Sequence, residues 1–169
     1  EKGSDLTQAE KDELAEMMGI GAIVYGVLSQ NRKMDMIFDW DRFLSFEGNS
    51  APYVQYTHAR ARSVLRKAGR ESCDIPHEID SLAPSDRTVI RLLLQWPFVL
   101  ESMRSERMPH RLSNYLFELC QAFNAFYNAE PILQAESSAR TLRLAITSLT
   151  ASFLKTGASI LAFRVPDRM

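Results

Sequence analysis

The sequence predicts an all-α helical bundle preceded by an N-terminal connector, part helical and part irregular. Apolar residues recur at helical spacing through each long stretch. Prolines stand where those stretches open, and nothing alternates between strand and helix or repeats internally. A chain of 169 residues buries one substantial core. Its hydrophobic fraction of 46% and charged fraction of 24% are those of an ordinary globular protein.

Thr7 and Glu10 have the spacing of a capping box, so a helix is expected from residue 8 towards 28. Leu14, Met17, Ile20, Val24 and Val27 supply its apolar side, while Gly19, Gly21 and Gly26 loosen it. Residues 30–50 mix charges with aromatic rings and close on a Gly48-Asn49-Ser50 turn. A short extended piece is expected at 36–38 and a helical turn at 41–44. This connector should pack its aromatics against another surface.

The rest of the chain is organised around residues 52–69. Pro52 suits the first turn of a helix, where its missing N–H has no partner to lose. Gly69 suits the stop, because glycine takes the left-handed conformation freely. Val54, Ala61, Leu65 and Ala68 form a narrow stripe to be buried. Tyr53, Tyr56, Arg60 and Lys67 lie opposite. Arg60, Arg62, Arg66, Lys67 and Arg70 crowd into three turns of a chain whose net charge is only −1, giving a local basic stripe on a neutral protein. Rings beside cations suit unstacked bases, with guanidinium for phosphate or stacking. The same spacing also suits a Tyr–Arg pair that merely covers its own helix.

A polar loop at 70–83 carries Cys73 and His77. Ser85 should cap the next helix, with Asp86 in its favourable first turn. Val89, Ile90, Leu93 and Trp96 give that helix its apolar side, and Pro97 should kink or break it. Pro109 opens the strongest helix, where Leu112, Leu116, Leu119, Phe123 and Phe126 recur at helical spacing. Tyr127 beside them is either core or surface. The last helix runs from 138 to 161, with Gly157 weakening it by about 1 kcal/mol relative to alanine. Pro166 stops any continuation. Met169 then either frays into solvent or lies against the bundle near Tyr56 and Arg60.

Catalytic and metal signatures are missing from the sequence. His58, His77 and His110 fall in separate elements without metal-ligand spacing. Cys73 and Cys120 lie far apart and read as free thiols of a reducing compartment. No G-x-S-x-G elbow, phosphate-cradling glycine loop or dinucleotide fingerprint occurs. Asp39 and Asp41 suit capping or a solvated turn better than acid–base work. No apolar run reaches the roughly 18 residues of a membrane span. The residues alone describe an interaction module.

The order of the motifs is more specific than any one of them. GIGAIVYGVLS at 19–29, FDWD at 38–41 and SFEGNSAPYVQYTHAR at 45–60 are followed by PHRLSNYLFEL at 109–119, FNAFYN at 123–128 and PDRM at 166–169. Together they resemble the C-terminal part of a class I arginyl-tRNA synthetase, over essentially the whole chain. The resemblance implies that residues 51–169 are the anticodon-binding helical bundle and residues 1–50 the connector from a catalytic domain. It implies binding of the tRNA(Arg) anticodon stem-loop, with Tyr56, Arg60, Tyr127 and Met169 as contacts and Tyr53 and Lys67 as further RNA-facing candidates. The parent would be an ATP- and Mg2+-dependent ligase. This chain would carry no cofactor, no metal and no activity of its own, and would dock its catalytic domain in cis. A cytoplasmic monomer without membrane contact is expected. The sequence departs from the family at Ala162, where glycine is usual, and at Asp167, where glutamate is. A helical protein–protein interaction domain, with Tyr53, Tyr56 and Arg60 as its hot spot, is the competing reading. A cysteinyl-type synthetase bundle fits the tail and the YVQYTHAR stretch less well.

Overall fold

The computed structural model describes residues 6–70, 75, 76, 79 and 81–169. Cys73 and His77 lie outside the described residues. Six helices are found there and no strands: α1 (Gln8–Leu28), α2 (Trp40–Phe43), α3 (Ala51–Lys67), α4 (Pro84–Glu106), α5 (Pro109–Ala129) and α6 (Ser137–Ile160). The most extensive pairings are α4 on α5 and α3 on α6, and α1 lies across α3 and α5. The all-α expectation holds.

Local chemistry sets the helix ends. The Thr7 hydroxyl accepts from the Glu10 N–H while the Glu10 carboxylate takes the Thr7 N–H, closing the capping box. Asp39 caps α2 by accepting from the N–H groups of Asp41 and Arg42. Ser50 caps α3, and Pro52 stands in its first turn. At α4 the expected Ser85 cap is replaced. Ala83 holds the cap position, the Asp86 carboxylate accepts from its N–H at 2.9 Å, and Ser85 instead donates to Glu130. Pro97 does not break α4. It sits on the solvent side, while Trp96, Val99, Leu100 and Met103 pack on the core from both flanks.

The core is built on α5. Leu112, Leu116, Leu119, Phe123 and Phe126 are fully buried. Central α3 departs from the narrow stripe expected of it. Gln55, Thr57 and His58 are buried as completely as Val54 and Leu65, whereas Ala68 is half-buried, because α1, α5, α6 and the C-terminal tail surround the helix. Gly26 of α1 and Gly157 of α6 also act differently from expectation. A Cβ at Gly26 would collide with the Phe43 ring, and one at Gly157 would stand 2.6 Å from Leu116 Cδ2. They are close-approach positions rather than loose joints.

Residues 35–39 form no strand. The connector packs its rings mainly on one another: Phe38 meets Trp40 and Phe43 edge-on at 4.7 and 4.8 Å between centroids. Ile37, Phe38, Trp40 and Phe46 stay exposed. By contrast, α1 is tied into the bundle. The buried Tyr25 hydroxyl donates to Asn49 or to the Ser113 carbonyl, and its ring meets Phe163 at 5.4 Å.

Candidate nucleic-acid interface

Burial of most of α3 leaves few of its side chains to do anything else. Tyr56 and Lys67 emerge to solvent, and Arg60 is half-buried between them. The Arg60 guanidinium carbon lies 4.6 Å from the centre of the Tyr56 ring and 4.9 Å from that of Tyr127, at the end of α5. Its Nη2 donates to the Tyr56 hydroxyl and its Nη1 to Asn124 Oδ1, the latter at 2.7 Å. A cation against the faces of two tyrosines is electrostatically favourable and immobilises all three groups. Both rings keep 39% exposure, so each still offers surface to a ligand.

These residues open onto a cleft of about 990 Å³. One wall is α3, another is residues 130–134, and Arg168 with Met169 close it from the C-terminal side. Arg60, Arg66, Lys67 and Arg168 line it, giving a basic cavity on a chain of net charge −1. Glu130, the acid in the lining, is neutralised from behind by Arg143 Nη2 at 2.7 Å.

Each irregular wall is held by polar side chains, with Gln55, His58 and Arg143 buried among them. Arg143 projects from α6 and is 9% exposed. Besides Glu130 it pairs with buried Asp86 at 3.4 Å and donates to the Pro131 carbonyl at 3.0 Å, fixing the start of the 130–134 wall. The tail leaves α6 through Ala162, whose φ is 58°. The Ala162 and Phe163 N–H groups return to the carbonyls of Ser159 and Ala158, a Schellman turn with alanine where glycine is the easy residue. Successive turns of α3 then grip the tail. Gln55 Nε2 donates to the Arg164 carbonyl at 2.9 Å, and His58 Nδ1 to the Pro166 carbonyl at 2.9 Å. Arg66 donates to the Asp167 carbonyl at 2.7 Å, and Arg62 pairs with the Asp167 carboxylate at 3.2 Å. A carbonyl only accepts, so the His58 proton belongs on Nδ1. Burial pulls the His58 pKa below the ordinary imidazole value, against the opposing pull of the Pro166 hydrogen bond.

Tyr56, Arg60, Lys67, Tyr127 and Met169 therefore share one cleft, with Met169 half-buried in it. Tyr53 stands apart from them. Its ring tilts on Phe117 at 5.7 Å, and its hydroxyl accepts from Asn124. It supports the cleft from behind. Sequence reasoning missed Asn124, Arg143 and Gln55, and it placed Arg62 and Arg66 in a basic stripe and weighed His58 only as a metal ligand, without anticipating that they hold the tail. Gln55 and His58 carried a faint signal, as polar residues amid positions that would otherwise be apolar. Among the described residues no group of three or more His, Cys, Asp or Glu is arranged to hold a metal ion.

Residues 54–169 match the model of the DALR anticodon binding domain. The chain belongs to that family. Over all 169 residues it is 43% identical to an arginine–tRNA ligase of Chromobacterium violaceum and 40% identical to one of Actinobacillus succinogenes, covering 29% of each. Among solved structures, the arginyl-tRNA synthetase of Thermus thermophilus superposes with a TM-score of 0.88 at 35% identity, over the whole of this chain and 29% of that one. The arginyl-tRNA synthetase of Plasmodium falciparum shares the fold, with a TM-score of 0.80 at 24% identity over 94% of this chain and 28% of that one. This DALR domain thus corresponds to under a third of the length of those relatives. Among its described residues no helix is long and apolar enough to cross a membrane.

Proposed function

We propose that this DALR domain binds the anticodon stem-loop of tRNA(Arg) in the cleft between α3, the end of α5 and the C-terminal tail, as the RNA-reading part of an arginine–tRNA ligase. The observation that carries the reading is Arg60, held against the rings of Tyr56 and Tyr127 at the mouth of a basic cleft. Splayed loop bases stack on exposed aromatic rings, and the cations compensate the phosphates between them. Lys67 and Arg168 flank the rings for that second task, and Met169 offers a polarizable face for a base or sugar.

In this reading the parent enzyme joins arginine to tRNA with ATP and Mg2+, and those cofactors belong to the remainder of that enzyme. No step of the ligation runs through the residues of this domain. Residues 1–50 form the connector to the catalytic part, and residues 51–169 the reading module. Exposed Ile20, Ile23 and Val27 lie at helical spacing along α1, which contacts α2 with its exposed Trp40, and supply an apolar face for docking the catalytic part in cis. The protein works as a cytoplasmic monomer.

The test is a titration of the chain with the tRNA(Arg) anticodon stem-loop at two salt concentrations. Saturable binding that weakens as salt rises is expected, because each cation–phosphate contact releases counterions. Binding no tighter than to an unrelated stem-loop would return the Tyr–Arg pair to the protein-interaction reading. Arginine-dependent ATP–pyrophosphate exchange by the chain alone should stay at background.

A further inference from the structure

Arginine is a long side chain that ordinarily samples many rotamers, and fixing it costs conformational entropy. In the cleft that cost has already been met by a residue on the neighbouring helix. Asn124 lies on α5, three residues before Tyr127 and therefore on the same side of the helix. Its Oδ1 accepts from Arg60 Nη1 at 2.7 Å. Its Nδ2 donates to Thr57 Oγ1 at 3.0 Å and to the Tyr53 hydroxyl at 3.1 Å. Thr57 spends its own proton on the Tyr53 carbonyl at 2.9 Å, which leaves its oxygen to accept.

This chain of bonds works in one direction only. A guanidinium carries donors and no acceptor, so an amide turned the other way would set N–H against N–H. The two α3 hydroxyls hold the NH2 group and thereby aim the carbonyl at Arg60. Asn124 is half-buried and beneath the ring–cation–ring arrangement rather than part of the cleft lining.

We propose that Asn124 is a positioning residue for RNA recognition, holding the Arg60 guanidinium against Tyr56 and Tyr127 before RNA arrives. The inference rests on the stem-loop-binding reading and adds a mechanism to it. A base stacking on the exposed face of either tyrosine meets a ring already fixed through the cation, so less order has to be imposed on binding. Tyr53 and Thr57 act through Asn124.

The test has an RNA-free arm and an RNA arm. In the free chain the Arg60 Nε–Hε resonance should be displaced by the ring currents of two tyrosines. Asn124→Ala should return it towards the value of a solvated arginine. A resonance unmoved by that substitution overturns the clamp. In the second arm, Asn124→Ala should weaken stem-loop binding about 10-fold, and the double variant with Arg60→Ala should bind less than about threefold more weakly than Arg60→Ala alone, since residues that act through one contact are not additive. Losses that simply multiply overturn the positioning role. Asn124→Ser, polar but too short to reach Arg60, replaces alanine if the latter lowers the unfolding midpoint. A wild-type chain that does not bind the stem-loop, with the resonance still responsive to Asn124→Ala, defeats the RNA reading and with it any recognition role for Asn124. The clamp would then stand as a feature of the free fold.

Discussion

The C-terminal tail and the connector at residues 30–50, irregular on either side of α2, both carry a substantial share of apolar residues, yet the tail is the more buried of the two. The connector carries Met34, Ile37, Phe38, Trp40 and Phe46, all exposed. The tail is short; it buries Phe163, and Gln55, His58, Arg62 and Arg66 hold its backbone and its Asp167 side chain along successive turns of α3. Apolar content does not order a loop by itself. A segment without its own ladder of hydrogen bonds is ordered when buried side chains take up its carbonyls, and otherwise needs another surface to cover it. The 130–134 wall obeys the same rule through Arg143.

The largest effect should follow from removing that cation. Arg143→Met leaves buried Asp86 and Glu130 without their partner and should cost about 3–5 kcal/mol of stability, read from urea unfolding. A loss under about 1 kcal/mol would mean that the wall is not held by Arg143.

His58 breaks the comparison through pH. Burial lowers its folded pKa, so between that value and the ordinary imidazole value of about 6.5 the unfolded chain binds more protons than the folded one. The stability contributed by neutral His58 is complete above about pH 6.5 and is lost as pH falls through the folded pKa. Thermal unfolding midpoints at pH 7.5 and 5.5 should therefore differ more in the wild type than in His58→Gln. Equal differences would remove His58 from the account of the tail.

Ala162 sharpens the comparison in the stabilising direction. Its φ of 58° strains an L-residue, so Ala162→Gly should raise stability by about 1 kcal/mol, read as a higher unfolding midpoint. The connector gives the smallest effect. Ile37 is 83% exposed, and Ile37→Ser should shift the stability of this chain by no more than about 0.5 kcal/mol by the same measurement. A larger loss would show that the connector is already packed.

Period and punctuation made the fold legible. The apolar spacing of α5, the proline at the start of α3 and Gly69 at its end each act locally, and each was readable from the residues alone. Legibility stopped where a residue's partner is distant in sequence. Nothing near Arg143 announces Glu130 and Asp86, and nothing near His58 announces Pro166. Gly26 and Gly157 were misread for the same reason, since the Phe43 and Leu116 side chains that require them lie on other elements. Pro97 was read as a kink or a break, and the break does not occur because residues on either side of it pack on the core. The Tyr56–Arg60 pair was legible because it sits one turn apart on one helix, whereas Tyr127 joins it only through the fold. Tyr53 shares the sequence spacing of that pair, but the neighbouring Phe117 and Asn124 draw it inward.

The central claim is that the ring–cation–ring arrangement around Arg60 holds RNA. The most direct test compares Arg60→Ala with the wild type in binding the tRNA(Arg) anticodon stem-loop, with helix content followed in parallel by circular dichroism. The account predicts unchanged helix content and a loss of about 1–3 kcal/mol in binding, as expected for one stacked or phosphate-bound contact. Equal affinity of the two proteins, with the fold intact, would contradict it.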